Sequence, residues 1–165
     1  MSANTDRAHD KNSMYVYDLL IVDLLKECKM FQQSLGTLQK NLDEDFKPDS
    51  VGPLRAHLGR VARLHGIVFA ARAKLESVMH SFNLQEIDRA KDLSNRVSDL
   101  ESFENQLNSL LTDGQKLVSA FDQTEAAAWV KKEALGTIKE LIRHSANLKQ
   151  SLCLMFRSRR VNGNL

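Results

Sequence analysis

Residues 17–42, YDLLIVDLLKECKMFQQSLGTLQKNL, carry the pattern that decides the fold. Apolar side chains recur in this stretch at alternating steps of four and three residues, at Tyr17, Ile21, Leu24, Cys28, Phe31, Leu35, Leu38 and Leu42. This spacing repeats every seven residues and places all of these side chains on one stripe of an α-helix. Such a stripe is normally buried against other helices, so the sequence predicts an all-α protein.

The same spacing recurs in two later stretches of the chain. The first contains Leu93, Val97, Leu100, Glu104, Leu107, Leu111, Gly114, Val118 and Phe121, and the second contains Ala134, Ile138, Leu141, Ser145, Leu148, Leu152 and Met155. With only 7 Gly and 2 Pro among 165 residues, the chain also lacks the frequent turns that a β-sandwich or β-barrel needs. A size of 165 residues is typical of one domain.

The boundaries between segments follow from helix-breaking and helix-capping residues. Pro48 and Pro53 mark a linker, because proline lacks the amide donor and restricts the residue before it. Asn83 and Asp122 are each followed three residues later by glutamate, which is the spacing of a capping box. We expect helices at about 14–44, 51–81, 84–121 and 124–157, a flexible tail at 1–13 and a basic tail at 158–165. Gly114 is expected to end or kink the third helix.

Long helices joined by short connections favour antiparallel neighbours. The predicted architecture is an elongated antiparallel four-helix bundle, or a pair of long helical hairpins with coiled-coil-like heptad seams that another subunit completes. The second helix carries, beside its apolar stripe, a row of small residues, Gly59, Ala62, Gly66, Ala70 and Ala73. We predict that this row is a helix-packing interface, so that leucine at Gly59 or Gly66 lowers stability or assembly.

Charge alternates in sign along the four segments. Residues 1–50 and 83–128 are acidic, with net charges of −3 and −5, and residues 51–82 and 129–165 are basic, with net charges of +4 and +6. In an up-down-up-down bundle, each acidic helix then lies between two basic helices. The pattern predicts complementary flanks that specify the topology.

The basic segments also allow a binding function. Candidate contacts with nucleic acid or an acidic protein are Arg60, Arg63, Lys139, Arg143, Arg157, Arg159 and Arg160. Because no aromatic residues are interleaved with them, such binding would be directed at phosphates rather than at bases.

No motif for catalysis or metal binding is present in the sequence. It contains no glycine-rich phosphate loop, no His-Glu-x-x-His and no Cys-x-x-Cys. We therefore expect no enzymatic activity, no cofactor, no metal and no small-molecule substrate. Two cysteines are too few for a disulfide framework, and no stretch is apolar enough to span a bilayer, so the expected location is the cytoplasm.

A second apolar surface is expected near the start of the first helix, which is apolar on more than one side. Its residues, together with the single tryptophan, are predicted to bind a partner: Tyr15, Val16, Leu19, Leu20 and Trp129. Three functions follow as hypotheses. The preferred one is a non-enzymatic interaction or assembly subunit, acting as a homo-oligomer or with a protein partner. The others are a nucleic-acid-binding accessory protein in recombination or genome maintenance, and an export or folding chaperone for a helical client.

Overall fold

The structure, a computed structural model, describes the backbone of residues 2–44, 51–80, 87–122 and 128–161, and the side chains of 17–42, 51–80, 88–122 and 132–155. The described chain forms four α-helices: α1 (Ser2–Glu44), α2 (Gly52–His80), α3 (Ile87–Asp122) and α4 (Ala128–Val161). Even the shortest, at 29 residues, is about 43 Å long at the usual rise per residue. The described residues contain no strand.

The helix bounds differ from the predicted ones at three places. Helix α1 begins at Ser2 instead of residue 14, because residues 2–13 contain neither proline nor glycine and the predicted N-terminal tail continues the helix. Helix α4 likewise continues to Val161, past the predicted start of a basic tail at residue 158. Helix α3 runs without a break through Gly114. Pro53 lies in the first turn of α2, where its missing amide proton costs no hydrogen bond.

The helices form a ring in which α1 and α3 each contact both α2 and α4. Among the described residues, the diagonal pairs α1 and α3, and α2 and α4, have no backbone contact. Neighbouring helices are antiparallel. On α2 and α3, Arg55 pairs with Asp122 and Arg72 with Glu104, and on α1 and α2, Glu27 contacts Arg60 while the later Asn41 shares a groove with the earlier Pro53. On α1 and α4, Tyr17 donates a hydrogen bond to Met155 at 2.7 Å and Ser145 donates to the Cys28 carbonyl at 3.5 Å, so position numbers fall on one helix as they rise on the other. The chain therefore supplies all four helices of the bundle itself.

The predicted stripes of α1 and α4 face the common axis and are buried there, apart from the half-buried Met155. The apolar stripe of α2 is buried in the same core at Leu54, Leu58, Val61, Leu64, Val68 and Leu75. All eight stripe residues of α1 are at most 4% exposed. In α3 six of the nine predicted stripe positions are buried, and at the other three a neighbour is buried instead: Phe103, Leu110 and Leu117 replace Glu104, Leu111 and Val118. A wide apolar stripe can include either of two neighbouring positions on a helix, so the spacing alone does not decide which of the two is buried. The charged Glu104 takes the outer position and accepts a hydrogen bond from Arg72 of α2 at 3.0 Å.

The alternation of charge matches the ring of helices. The acidic helices α1 and α3 lie on one diagonal and the basic helices α2 and α4 on the other. Ion pairs cross from basic to acidic helices, as between Arg55 and Asp122 and between Arg72 and Glu104. Each exposed pair contributes only about 0–1 kcal/mol, so these pairs favour the observed neighbours more than they add stability.

One glycine permits a close approach of two helices. Gly114 of α3 is buried, and a β-carbon built there would overlap the Leu58 side chain of α2, with Leu58 Cγ only 3.3 Å away. A β-carbon built on Gly59 or Gly66 of α2 meets no atom within 4 Å. The close packing of α2 and α3 therefore depends on Gly114, whereas Gly59 and Gly66 are not needed for packing within the chain.

The contrast between two glycines gives a test of this packing. Gly66→Ala should raise the free energy of unfolding by about 1 kcal/mol, because alanine favours helix and its methyl group enters open space. Gly114→Ala gains the same helix propensity, but its methyl group forces Leu58 to move, at a cost of about 1–3 kcal/mol. Urea denaturation of both variants measures the difference. Equal stabilities of the two variants, or a Gly114→Ala cost that is as large in a Leu58→Ala background as in the wild type, would contradict the proposed contact.

Candidate functional site: the outer face of α2

The small residues predicted to pack against a helix lie on the surface of the described chain. We call the α2 outer face the exposed row formed by Gly59, Ala62, Arg63, Gly66, Ala70 and Ala73. The row lies opposite the buried stripe of α2, since Gly59 is two positions, or about 200°, from Val61. The prediction of a helix-packing interface is thus wrong for contacts within the chain, because α1 and α3 cover only the flanks of α2. For contacts with another molecule it stays a prediction.

Each flank of the α2 outer face is marked by one exposed apolar side chain. Ile67 is 42% exposed and lies two turns after Arg60, which donates to Glu27 of α1 at 3.1 Å. Phe69 is 52% exposed and lies three residues before Arg72, whose guanidinium carbon is 5.2 Å from the ring centre. Ile67 therefore borders α1, and Phe69 borders α3. The row of small residues forms a shallow channel between two larger apolar side chains.

The exposed surface of α3 has a different chemistry. Its described residues are mainly serine, asparagine and threonine, including Ser98, Ser102, Asn105, Asn108 and Thr112. Hydroxyl and amide groups keep their hydrogen bonds with water, whereas glycine and alanine on a helix surface offer none from the side chain. The α2 outer face is therefore less suited to contact with water alone than the exposed surface of α3.

An exposed apolar pair on α1 extends this surface. Leu19 and Val22 are each 48% exposed, while Leu20, predicted to bind a partner, is 4% exposed and belongs to the core. Leu20 is buried because it lies four residues before Leu24 on the inward stripe. The side chains of Tyr15, Val16 and Trp129 lie outside the described residues. Of the predicted apolar set, the structure therefore places Leu19 on the surface.

The predicted basic residues do not share one surface. Arg60 and Arg63 lie on α2, while Lys139 and Arg143 lie on the diagonally opposed α4. Arg60 is paired with Glu27 at 3.1 Å, and Arg143 is paired with Glu140 at 2.6 Å. Both Arg63 and Lys139 are exposed. The backbone of α4 includes positions 157, 159 and 160, but the side chains of Arg157, Arg159 and Arg160 lie outside the described residues.

A buried polar cluster between α1 and α2 was not predicted from the sequence. His57 is 6% exposed, and its Nδ1 lies 3.1 Å from Glu27 Oε1, which also accepts a hydrogen bond from Arg60 Nε at 3.1 Å. Arg60 Nη2 lies 3.4 Å from His57 Nε2. Arg60 Nη2 also lies 3.1 Å from His57 Nδ1, so no single tautomer of a neutral His57 ring satisfies all three contacts. The phase of His57, three residues after Leu54 and four before Val61, is the signal that could have revealed its burial.

A groove of about 450 Å³ lies between α1 and α2 beside this cluster. Its walls combine His57 with amide and hydroxyl side chains, Gln33, Ser34, Thr37 and Asn41, and with the apolar Met30, Leu38, Pro53 and Leu54. Glu27 Oε1 of α1 contacts both His57 Nδ1 and Arg60 Nε of α2. The cluster therefore has the properties of a structural network that joins α1 to α2.

A second contact between a histidine and a carboxylate joins α3 and α4. His144 of α4 lies 3.2 Å from Asp113 of α3, which forms another cross-helix pair. Within the described ranges, no three histidine, cysteine, aspartate or glutamate side chains are grouped to hold a metal ion. Helices of the described residues are also not long and apolar enough to cross a membrane.

The two cysteines are free thiols in different surroundings. Cys28 is buried in the core, and this burial raises the pKa of its thiol to about 12. Cys153 is half-buried. Since the thiolate is the reactive form of cysteine, Cys28 is kept in its unreactive thiol form at neutral pH.

Comparisons of the chain with protein-family models, with curated proteins and with solved structures find no match.

The buried polar cluster gives a test of its structural role. Glu27→Ala should lower the free energy of unfolding by about 1–3 kcal/mol, because it leaves the buried His57 ring without its carboxylate partner. Glu140→Ala removes an exposed pair with Arg143 and should cost at most about 0.5 kcal/mol. Chemical denaturation compares the two variants. Equal losses would contradict the proposed role of Glu27.

The raised pKa of Cys28 predicts a loss of stability at alkaline pH. Because the folded thiol keeps its proton above pH 9.0, where the unfolded thiol loses it, stability should fall by about 1.4 kcal/mol per pH unit toward pH 12. Cys28→Ala should flatten this slope. Burial also raises the pKa of Tyr17, so Tyr17→Phe should remove a separate loss that begins near pH 10. Slopes unchanged in Cys28→Ala would contradict the first assignment.

Proposed function

We propose that this protein is a non-enzymatic helical interaction subunit that docks a protein partner on the α2 outer face. The observation that carries the proposal is the exposure of Gly59, Gly66, Ala70 and their neighbours, flanked by Ile67 and Phe69. A row of small residues allows another helix to approach closely, and the flanking apolar side chains would lose their contact with water. The heptad stripes give no support, because the chain buries them in its own core.

The distribution of charged groups supports a protein partner over nucleic acid. A phosphate backbone is bound best by many cations on one surface, and the described basic residues of α2 and α4 lie on a diagonal. Arg60 and Arg143 are in addition paired with carboxylates. Nucleic-acid binding and a chaperone activity toward a helical client are the alternative proposals. A cytoplasmic location, suggested by two free thiols, is part of the same proposal.

The contacts of the buried polar cluster support a structural role for it. Glu27 Oε1 of α1 accepts a hydrogen bond from Arg60 Nε and contacts His57 Nδ1, both of α2. We therefore assign to this cluster the joining of α1 and α2.

The native mass of the protein in cell extract tests the proposal. Wild-type protein at its natural level should belong to a particle heavier than the 18.7 kDa monomer. Gel filtration combined with gradient sedimentation gives this mass independently of shape, which matters because an elongated monomer elutes early. The double variant Gly66→Glu/Ala70→Glu should shift to the monomer mass, because two carboxylates would be buried in the contact.

The matched control is Asn105→Glu on the exposed surface of α3, which should leave the mass of the particle unchanged. Circular dichroism should show that all variants remain helical. Wild-type protein at the monomer mass, or a double variant at the wild-type mass, would overturn the proposal. Loss of the heavy particle on nuclease treatment would favour the nucleic-acid alternative.

A further inference from the structure

Leu19 and Val22 of α1 and Ile67 of α2 are exposed on one side of the bundle and near one level along it, whereas Phe69 lies on the flank of α2 that borders α3. Glu27 contacts Arg60, and the two helices are antiparallel, so Leu19 of α1 lies level with residues 67 and 68 of α2. Leu19 lies two heptads before Gln33, which lines the groove between α1 and α2. Leu19 and Ile67 therefore lie on facing flanks of the same helix pair. Val22 follows Leu19 by one turn and is equally exposed.

The charges on this side of the bundle are divided between the two helices. The α2 outer face carries Arg63, with Lys74 next to it, and both side chains are exposed. On α1, Asp23 is exposed between Leu19 and the groove. Among the described residues, Arg63 and Asp23 have no ion-pair partner within the chain. The antiparallel register places Asp23 level with residue 64, one position from Arg63.

We infer that the partner on the α2 outer face is a second copy of the same chain, whose α1 lies over α2. This inference rests on the proposed docking role of that face. Leu19 and Val22 of each copy fill the shallow channel at Gly66 and Ala70 of the other, and Asp23 of each copy pairs with Arg63 of the other. The contact is reciprocal, as a two-fold dimer requires.

The direction of the two-fold axis follows from charge. An axis parallel to the helices places α1 of one copy over α2 of the other and keeps the antiparallel register in which Asp23 meets Arg63. An axis perpendicular to the helices would place α2 over α2, bringing together two helices that each carry a net positive charge. Like charges in contact disfavour the second arrangement. The exposed charges therefore favour the two-fold axis that is parallel to the helices.

The size of this surface suffices for a dimer. A pair of helices about 43 Å long and about 20 Å wide presents a footprint of roughly 800 Å², which is the area that a standard interface buries on each partner. The small residues at its centre allow the helices to approach closely. Among the described residues, the exposed surface of α3 carries no large apolar side chain and that of α4 carries one, Leu154, so both have fewer than the side formed by α1 and α2.

Light scattering on the purified protein tests the inference directly. The wild-type mass should be twice 18.7 kDa at high concentration and should fall toward the monomer on dilution. Arg63→Asp and Asp23→Arg should each shift the mass toward the monomer, and the double variant Asp23→Arg/Arg63→Asp should recover the dimer. The matched control Lys139→Asp, an exposed change of the same kind on α4, should leave the mass unchanged.

Disulfide trapping tests the arrangement of the copies. In a Cys153→Ser background, an affinity-tagged Val22→Cys protein mixed with untagged Gly66→Cys protein should give a mixed disulfide on mild oxidation. Gly66→Cys alone should give little covalent dimer. Covalent dimer from Gly66→Cys alone, without the mixed product, would overturn the arrangement in favour of α2 against α2.

The outcomes separate this inference from the proposed function. A purified wild-type protein that is monomeric at every concentration overturns the second copy as occupant, whatever the extract shows. If the extract still contains a heavy particle that Gly66→Glu/Ala70→Glu disperses, the docking role stands and the partner is a different protein. A dimer whose mass is unaffected by Arg63→Asp also overturns the inference.

Discussion

The burial of four apolar stripes against one axis is the constraint on which the rest of this structure depends. Each fully buried leucine, isoleucine or phenylalanine contributes about 1.5–3 kcal/mol, while each exposed ion pair contributes about 0–1 kcal/mol. The stripes therefore provide the stability of the bundle, and the charges decide which helices become neighbours. This division explains why the acidic helices α1 and α3 lie on one diagonal, and why the cross-helix pairs Arg55–Asp122 and Arg72–Glu104 connect opposite signs.

The fold could be predicted from the sequence because its causes are local and repeated. The stripe of α1 from Tyr17 to Leu42 is buried throughout, and the alternation of charge predicted the order of helices around the ring. The details of α3 could not be predicted in the same way. Positions 110 and 111, and positions 117 and 118, are both apolar, so the pattern does not decide which member of each pair faces inward. Packing against α2, with Arg72 bonded to Glu104, selects the row of Leu110 and Leu117.

The candidate site was predicted in part, and the errors have identifiable causes. Glycine has the same appearance in sequence at positions 66 and 114, but only Gly114 receives a neighbouring side chain. The helical position of Gly66 is a signal in the sequence, since its row lies on the side of α2 opposite the apolar stripe. Contacts between residues that are distant in sequence could not be predicted in this way. Glu27 and His57 meet because of the register between α1 and α2, which no local pattern specifies.

The two glycines of the α2 outer face have a cost that nothing inside the described chain explains. Glycine in an exposed helix costs about 1 kcal/mol relative to alanine, and the open space around Gly59 and Gly66 would accept almost any side chain. The glycines of α2 are thus unfavourable for the isolated bundle without aiding its packing. A closely approaching helix from outside supplies the missing reason, because only a small side chain leaves room for its backbone and apolar residues. The gain from covering Ile67, Leu19 and Val22 would offset the lost helix propensity, which makes the proposed contact energetically consistent with the sequence.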